Sequence, residues 1–212
     1  MATIYNSDQF MNTDPSSVFI VPLIIATIEN LKGYAKPVSD YEKEEVIIEP
    51  WPLKGWRKLV SGTGIEGGIA EDLFEFEIKG DFFCATNHAV KRSYITAQFD
   101  KHETPGILIR EANYHPDGGQ VFFSPDRKPY IALLALPTDD IKPEDFKAFY
   151  CDGSFGIQIL PNVWHQPIFP LHLPASFKNK QGKVHACVAV DFVIEFGTWL
   201  KIPYPPELPA IQ

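Results

Sequence analysis

The sequence predicts a mainly β protein, a closed or sandwiched antiparallel barrel with one or two short helices. Three observations point there. The 212 residues include 19 prolines, 14 glycines and 16 phenylalanines, a composition suited to many short strands joined by turns. Apolar residues recur with period two or in short unbroken runs rather than at helical spacing. No alternation of strands with helices is visible, which removes the parallel α/β folds. A chain of this length fits one domain and buries a sizeable core. The reading is a loose tail over residues 1–16, one barrel domain over 17–200 and a Pro-rich tail over 201–212.

Taken in order, Ser17 to Leu23 reads as a strand, and Thr27 to Leu31 as a short helix capped by Thr27 and ended at Gly33. Val46 to Ile48 is a strand candidate before a Trp- and Pro-containing segment, Trp51 to Trp56. Gly62-Thr63-Gly64-Ile65-Glu66-Gly67 spells the dinucleotide fingerprint, but that motif must open a helix. Leu73 to Lys79, just beyond the glycines, alternates like a strand, so no nucleotide cofactor is expected and the glycines are read as a hairpin or lid loop. Strands continue at Phe82–Thr86, Ser93–Phe99, Gly106–Ala112, Gln120–Phe123 and Tyr130–Leu136. Pro143 to Tyr150 reads as an amphipathic helix with Phe146, Phe149 and Tyr150 on one face. The strands Gly156–Leu160, His165–Phe169 and Val184–Phe196 complete the domain.

Charge and cysteine usage exclude several functions. A net charge of -8 disfavours nucleic acid as a partner, which calls for a basic face. Cys84, Cys151 and Cys187 are odd in number and lack CxxC spacing, so neither a disulfide framework nor a zinc knuckle is indicated and a reducing, cytoplasmic setting is expected. The N-terminus lacks the basic and apolar regions of a secretory signal. The apolar run Val18 to Ile28 is broken by Pro22 and too short to span a bilayer, so no membrane partner is expected.

The chemistry concentrates in two stretches. In Gly156 to Phe169, Asn162 supplies a turn and His165 comes after it. In Asn113 to Gln120, Asn113 and His115 are two apart and so face the same side of a strand, with Gln120 opening the next strand. Asn113, His115, Gln120 and His165 stand in the order of the metal-ligand cluster of cupins, although Asn and Gln are poor transition-metal ligands beside His or a carboxylate. Singly, each histidine also reads as a hydrogen-bonded structural side chain. His88, His102, His172 and His185 have no such context.

These stretches and others resemble the ureidoglycolate lyase family, whose members have a cupin-like double-stranded β-helix (jelly-roll) fold. The resemblance begins at Pro22-Leu23 and Leu31-Lys32-Gly33-Tyr34 and continues through Asp81-Phe82-Phe83 with Asn87 and Arg92. It is strongest at His115-Pro116 with Gly118, Gln120 and Phe122, and at Ala148-Phe149 with Asp152-Gly153 and Gly156. Asn162, Trp164-His165, Pro167 and Asp191-Phe192 complete it. The chain departs from the family at Asn113, where a glutamate is usual and Glu111 is the nearest carboxylate, and at Ile159, Leu160, Gln166 and Phe196, where polar groups are usual. Residues 51–78 are an insertion relative to shorter members.

The resemblance implies cleavage of a carbinolamide C–N bond, ureidoglycolate giving glyoxylate and urea, or action on a related small polar carboxylate. His115 and His165 would serve as base and acid with Gln120 beside them, or as ligands, with Gln120, of a divalent metal ion. Arg92 is the candidate carboxylate clamp. Asn87, Asn113, Glu111 and Trp164 are the other candidate substrate-binding residues. A homodimer is also implied. The alternatives are a cupin-like enzyme of other chemistry, an isomerase or hydrolase on a small polar metabolite, and a non-catalytic binding protein.

Overall fold

The computed structural model describes residues 17–49, 59–61, 68–88, 91–100, 104–183 and 186–205. The first two strands enter different layers. β1 (Val18–Ile20) and β2 (Leu23–Ile25) replace the single strand expected over Ser17–Leu23, because Pro22 lies between them and cannot donate to a ladder. The segment after them is a set of turns rather than a helix: Leu31 N donates to Thr27 O, Asn30 N to Thr27 Oγ1, and Gly33 turns the chain with φ of 84°. β3 (Ala35–Val38) comes next. Val46–Ile48 contributes one isolated bridge, Ile48 to Gly118, rather than a strand.

β4 (Leu59–Ser61) and β5 (Ile69–Lys79) are the next strands, so the described part of the 51–78 stretch, Gly68 apart, is strand; its glycine motif at 62–67 lies outside the described residues. β5 shows the physical basis of the period-two signal: Phe74 and Phe76 are buried, Glu75 is exposed and Glu77 half-buried. β6 (Phe82–Asn87), β7 (Arg92–Asp100), β8 (Gly106–Ile109), β9 (Glu111–Tyr114), β10 (Gln120–Phe123) and β11 (Tyr130–Ala135) then run in succession. The helix expected over Pro143–Tyr150 is a 3-10 turn at Pro143–Asp145 succeeded by β12 (Lys147–Cys151). Pairing of Ala148 and Phe149 with Leu133 and Ala132 draws those residues into the sheet, and tertiary pairing overrides the helical spacing of the aromatics.

β13 (Gly156–Ile159), β14 (Trp164–His165), β15 (Phe169–Pro170), β16 (Ala175–Gly182) and β17 (Cys187–Asp191) lead to α1 (Phe192–Phe196) and β18 (Trp199–Pro203). The run expected as a strand over Val184–Phe196 is therefore partly helix. Asp191 accepts from Val193 N and Ile194 N, and Gly197 ends the helix with φ of 65°. β18 carries the ordered β structure three residues past the boundary placed at 200.

The closed jelly-roll barrel is not what these strands build. They form two open mixed sheets, one ordered β1-β18-β8-β7-β6-β5-β16-β10-β13-β3 and the other β2-β12-β11-β14-β9-β17-β4 with β15 beside β11. Among the described residues the edge strands of each sheet do not pair with one another, and β1 and β2 each join an edge in parallel with a late strand, one per sheet. The sheets face each other across one core. Phe83 meets Phe169 edge-on at 5.4 Å and Phe177 meets Tyr130 at 5.3 Å, contacts that add about 0.5–1.5 kcal/mol each to burial. β11 is buried at every residue because both its faces are covered.

The chain also switches sheets at Arg110, between β8 and β9, where one strand was expected over Gly106–Ala112. Arg110 Nε pairs with Asp191 Oδ2 at 2.9 Å, both side chains about nine-tenths buried, and Arg110 O accepts from Phe192 N. This switch carries Asn113 and His115 into the second layer. The three cysteines are buried and unbonded to one another. Among the described residues no helix is long and apolar enough to cross a membrane.

Candidate functional site

Strand register brings the two histidines together. His165 on β14 lies opposite Asn113 on β9, so both side chains leave the same face of the second sheet. Asn162, with φ of 67°, turns the chain into β14 and donates its backbone N–H to His115 O at 3.0 Å. That bond ties the two histidine-bearing segments at their backbones. The imidazole centroids of His115 and His165 stand 5.0 Å apart, edge to face, and both residues are buried.

The second partner comes from the opposing sheet. Gln120 on β10 places Oε1 3.1 Å from His165 Nε2, while its own amide nitrogen donates to Asn179 Oδ1 on β16 at 2.9 Å. A polar row thus runs His165–Gln120–Asn179 from one layer into the other. Gly119 makes it possible: an added Cβ there would lie 2.6 Å from Ile159 O, so β10 approaches β13 at a distance a side chain forbids.

The hydrogen bonds constrain the protons. His115 Nδ1 lies 3.0 Å from Ala186 O, an acceptor, which places its proton on Nδ1 and, in the neutral ring, a lone pair on Nε2. Ala186 N in turn donates to both oxygens of the buried Asp117 carboxylate, so Asp117 fixes the carbonyl that orients His115. His165 differs. Its Nδ1 lies 2.8 Å from Val163 O and its Nε2 faces Gln120 Oε1, two acceptors at once. Either the ring is an imidazolium, or it is neutral with the amides of Gln120 and Asn179 both turned over, because amide oxygen and nitrogen are interchangeable in shape.

The other sequence candidates are distributed around this group. Trp164 points to the opposite face from His165: its indole N–H donates to Thr138 O at 2.8 Å and its ring packs edge-on against Tyr114. Glu111 offers its backbone carbonyl to Gln166 Nε2. Asn87 and Arg92 pair across β6 and β7 in the first sheet. Arg92 is exposed, and β7 is four strand spacings from β10, on the order of 19 Å along a flat sheet. Arg92 and Asp72 do share a neighbourhood at Tyr94: burial raises the Tyr94 pKa, Arg92 opposes that shift and Asp72 adds to it. Of the eight candidates, the structure links His115, His165 and Gln120 by ring contact and hydrogen bond, sets Asn113 opposite His165 in the register, and leaves Arg92 exposed on β7.

Two participants escaped the sequence reading. Asn179 sits in Lys178-Asn179-Lys180, a stretch too polar to attract attention, yet Ala175, Phe177, Asn179 and Gln181 alternate and all are buried. Asp117 lies within His115-Pro116-Asp117-Gly118, where a turn role hides a buried carboxylate.

As for a metal, no three His, Cys, Asp or Glu side chains converge as a candidate ligand group among the described residues. The donors at hand are two imidazoles, one of them facing acceptors from both nitrogens, and neutral amides. That set fits a divalent transition ion poorly.

Comparison with known proteins covers the same region. A sequence model of the ureidoglycolate lyase family matches residues 82–192, from β6 to the start of α1, just over half of the chain and all of the candidate residues. Curated ureidoglycolate lyases from Salmonella enteritidis PT4 and Salmonella gallinarum are each 32% identical over 71 residues, 34% of this chain and 44% of theirs. The ureidoglycolate lyase of Azotobacter vinelandii is 32% identical over 65 residues, 31% of this chain and 39% of its own. The chain thus matches less than half the length of these relatives.

Proposed function

The chain belongs to the ureidoglycolate lyase family, and from that premise we propose that it cleaves the C–N bond of ureidoglycolate or of a closely related carbinolamide acid. The observation that carries this reading is the edge-to-face pair His115 and His165, backed by Gln120 from the opposing sheet. The reaction needs one group to take a hydroxyl proton and another to give a proton to the departing nitrogen. His115 has the tautomer of a base, with the lone pair on Nε2. His165, facing acceptors on both sides, has the setting of an acid.

In this scheme His115 Nε2 takes the proton of the substrate hydroxyl. The C–N bond breaks as the carbonyl of glyoxylate forms, and its electron pair stays on nitrogen. That nitrogen takes the proton of His165 and leaves as urea. To restore the starting state, the proton taken by His115 must return to His165, whose ring centroid is 5.0 Å away. Arg92 is exposed four strand spacings from β10 and attracts the anionic substrate only as a distant charge. No step is assigned to a metal.

The test is urea and glyoxylate release from ureidoglycolate by the purified protein. Stoichiometric release is expected, with His115→Ala lowering kcat by roughly 10²–10⁴-fold, the usual contribution of a positioned general base. Absence of urea release by the native chain, or full activity in His115→Ala, refutes the assignment.

A further inference from the structure

The polar row does not end where the protein's hydrogen bonds end. Asn179 is fully buried, yet its Nδ2 has no partner among the described residues. Across the site Asn113, beside His165 in the register, has an Oδ1 that is shielded from solvent and likewise unpartnered. A buried amide group without a partner costs about 1–3 kcal/mol, so a purely structural row would be expected to close on itself. Here one donor and one acceptor remain, one on the hydrogen-bond partner of Gln120 and the other on the register neighbour of His165.

We infer that Asn179 and Asn113 form a subsite for a planar amide or ureido group, Asn179 Nδ2 donating to its carbonyl oxygen and Asn113 Oδ1 accepting from its N–H. The inference rests on the proposed reaction for the identity of the ligand and extends it to two residues outside the acid–base pair. Both are positioning residues. Their effect reaches the chemistry through the row: an oxygen held at Asn179 Nδ2 keeps Asn179 Oδ1 toward Gln120 Nε2, which keeps Gln120 Oε1 toward His165 Nε2. That orientation is the one in which Nε2 carries a proton. A ligand without a carbonyl at this position leaves both amides at liberty to turn over, and His165 then presents a lone pair to Gln120 instead.

The test compares ureidoacetate, which has the ureido group and carboxylate but no hydroxyl to react, with glycolate, which lacks the ureido group. Binding is measured by calorimetry to the full-length chain and to Asn179→Asp, which keeps the shape and the acceptor for Gln120 but removes the donor. Ureidoacetate affinity is expected to fall about tenfold or more with glycolate affinity unchanged. Asn113→Ala, at a half-buried residue, is the second variant and is expected to show the same selectivity if Asn179→Asp does not fold. In turnover the loss is expected in KM more than in kcat, and the acidic limb of the kcat–pH profile is expected to move in Asn179→Asp. Equal loss of both ligands, or no loss of either, overturns the subsite. Urea release with an unchanged KM in both variants overturns it while leaving the lyase reading intact. Selective loss of ureidoacetate by a chain that releases no urea keeps the subsite and removes the lyase reading. No binding of ureidoacetate by the native chain overturns the subsite.

Discussion

Trp164 and His165 are adjacent, point to opposite faces of one strand, and separate packing from chemistry. Trp164→Ala removes a side chain with no exposure, opens the contact with Tyr114, whose ring centroid is 4.6 Å away, and leaves Thr138 O without the indole N–H. Truncation of a buried aromatic costs about 3–5 kcal/mol, and the lost hydrogen bond about 1 kcal/mol more. For a domain of this size each kcal/mol lowers Tm by about 2–4 °C, so a fall of roughly 10–20 °C is expected. Trp164→Phe keeps most of the ring and loses the N–H, and is expected to cost about 1–2 kcal/mol. His165→Ala is not neutral either. An imidazole at a pocket wall would be partly solvated, but His165 is 3% exposed and faces two acceptors, so about 2–3 kcal/mol is expected. Thermal melts of the three variants, read beside urea release, check the scheme. A Trp164→Ala melt within about 5 °C of the native chain, or a His165→Ala variant that melts lower than Trp164→Ala, refutes the division of labour across this strand.

The packing dictates other outcomes. Burial pushes the Cys151 thiol up to about 12, from 9.0, and the Tyr204 phenol up to about 12, from 10.0. Because the folded pKa exceeds the unfolded one, the folded chain holds more protons above pH 9, and stability present below that pH is lost as pH rises toward 12. For Cys151 this amounts to about 4 kcal/mol at the upper end; urea midpoints between pH 8 and 11 should fall, and should fall less in Cys151→Ala. Asp191→Ala removes the carboxylate that pairs with Arg110 and caps α1, and should cost about 3–5 kcal/mol in denaturant melts, with Asp191→Asn intermediate because it retains the cap oxygen. Gly119→Ala forces a Cβ to 2.6 Å from Ile159 O, so it should cost about 1–3 kcal/mol and depress turnover by displacing Gln120; an unaffected Tm and rate would mean that β10 and β13 can part without consequence.

What the sequence made legible was local. Glu75 and Glu77 alternating with Phe74 and Phe76 marked β5, and Gln120–Phe123 stands as a strand with the bounds read from it. Asn113 and His115 were expected on one face because residues two apart on a strand share it, whereas the approach of His165 was expected only from the cupin order of the residues. Closure was not legible. Whether β1 meets β3, or β2 meets β4, depends on where the chain changes layers, and Pro22 and Arg110 look like ordinary interruptions until their partners Ala148 and Asp191 are placed. Lys147–Cys151 failed for a different reason: Phe146, Phe149 and Tyr150 satisfy helical spacing as well as they fit a strand, and Pro143 does begin a turn of 3-10 helix. Phe192–Phe196 was hidden in an apolar run, although Asp191 before it and Gly197 after it are helix-ending residues in the expected order.

The position of the candidate site is set by how the two layers are held together. Elsewhere aromatic rings join the layers: Phe83 meets Phe169 and Phe177 meets Tyr130 edge to face, with Phe76 packed beside Phe83 and Phe177 in the first sheet. At His165, Gln120 and Asn179 a polar row crosses the same gap, where apolar side chains of similar volume would hold the sheets as firmly without the cost of desolvating amides and imidazoles. Stability therefore does not account for the row. The neighbouring residues narrow the explanation further, since Phe122, two residues beyond Gln120, and Phe177, two before Asn179, are fully buried core side chains on the same faces. The row is the point at which alternate inward positions on β10 and β16 change from aromatic to amide, opposite the one place where β9 and β14 turn Asn113 and His165 inward together. Polar side chains from four strands of two sheets thus gather in one region, and a binding function for the polar group explains why they do so together.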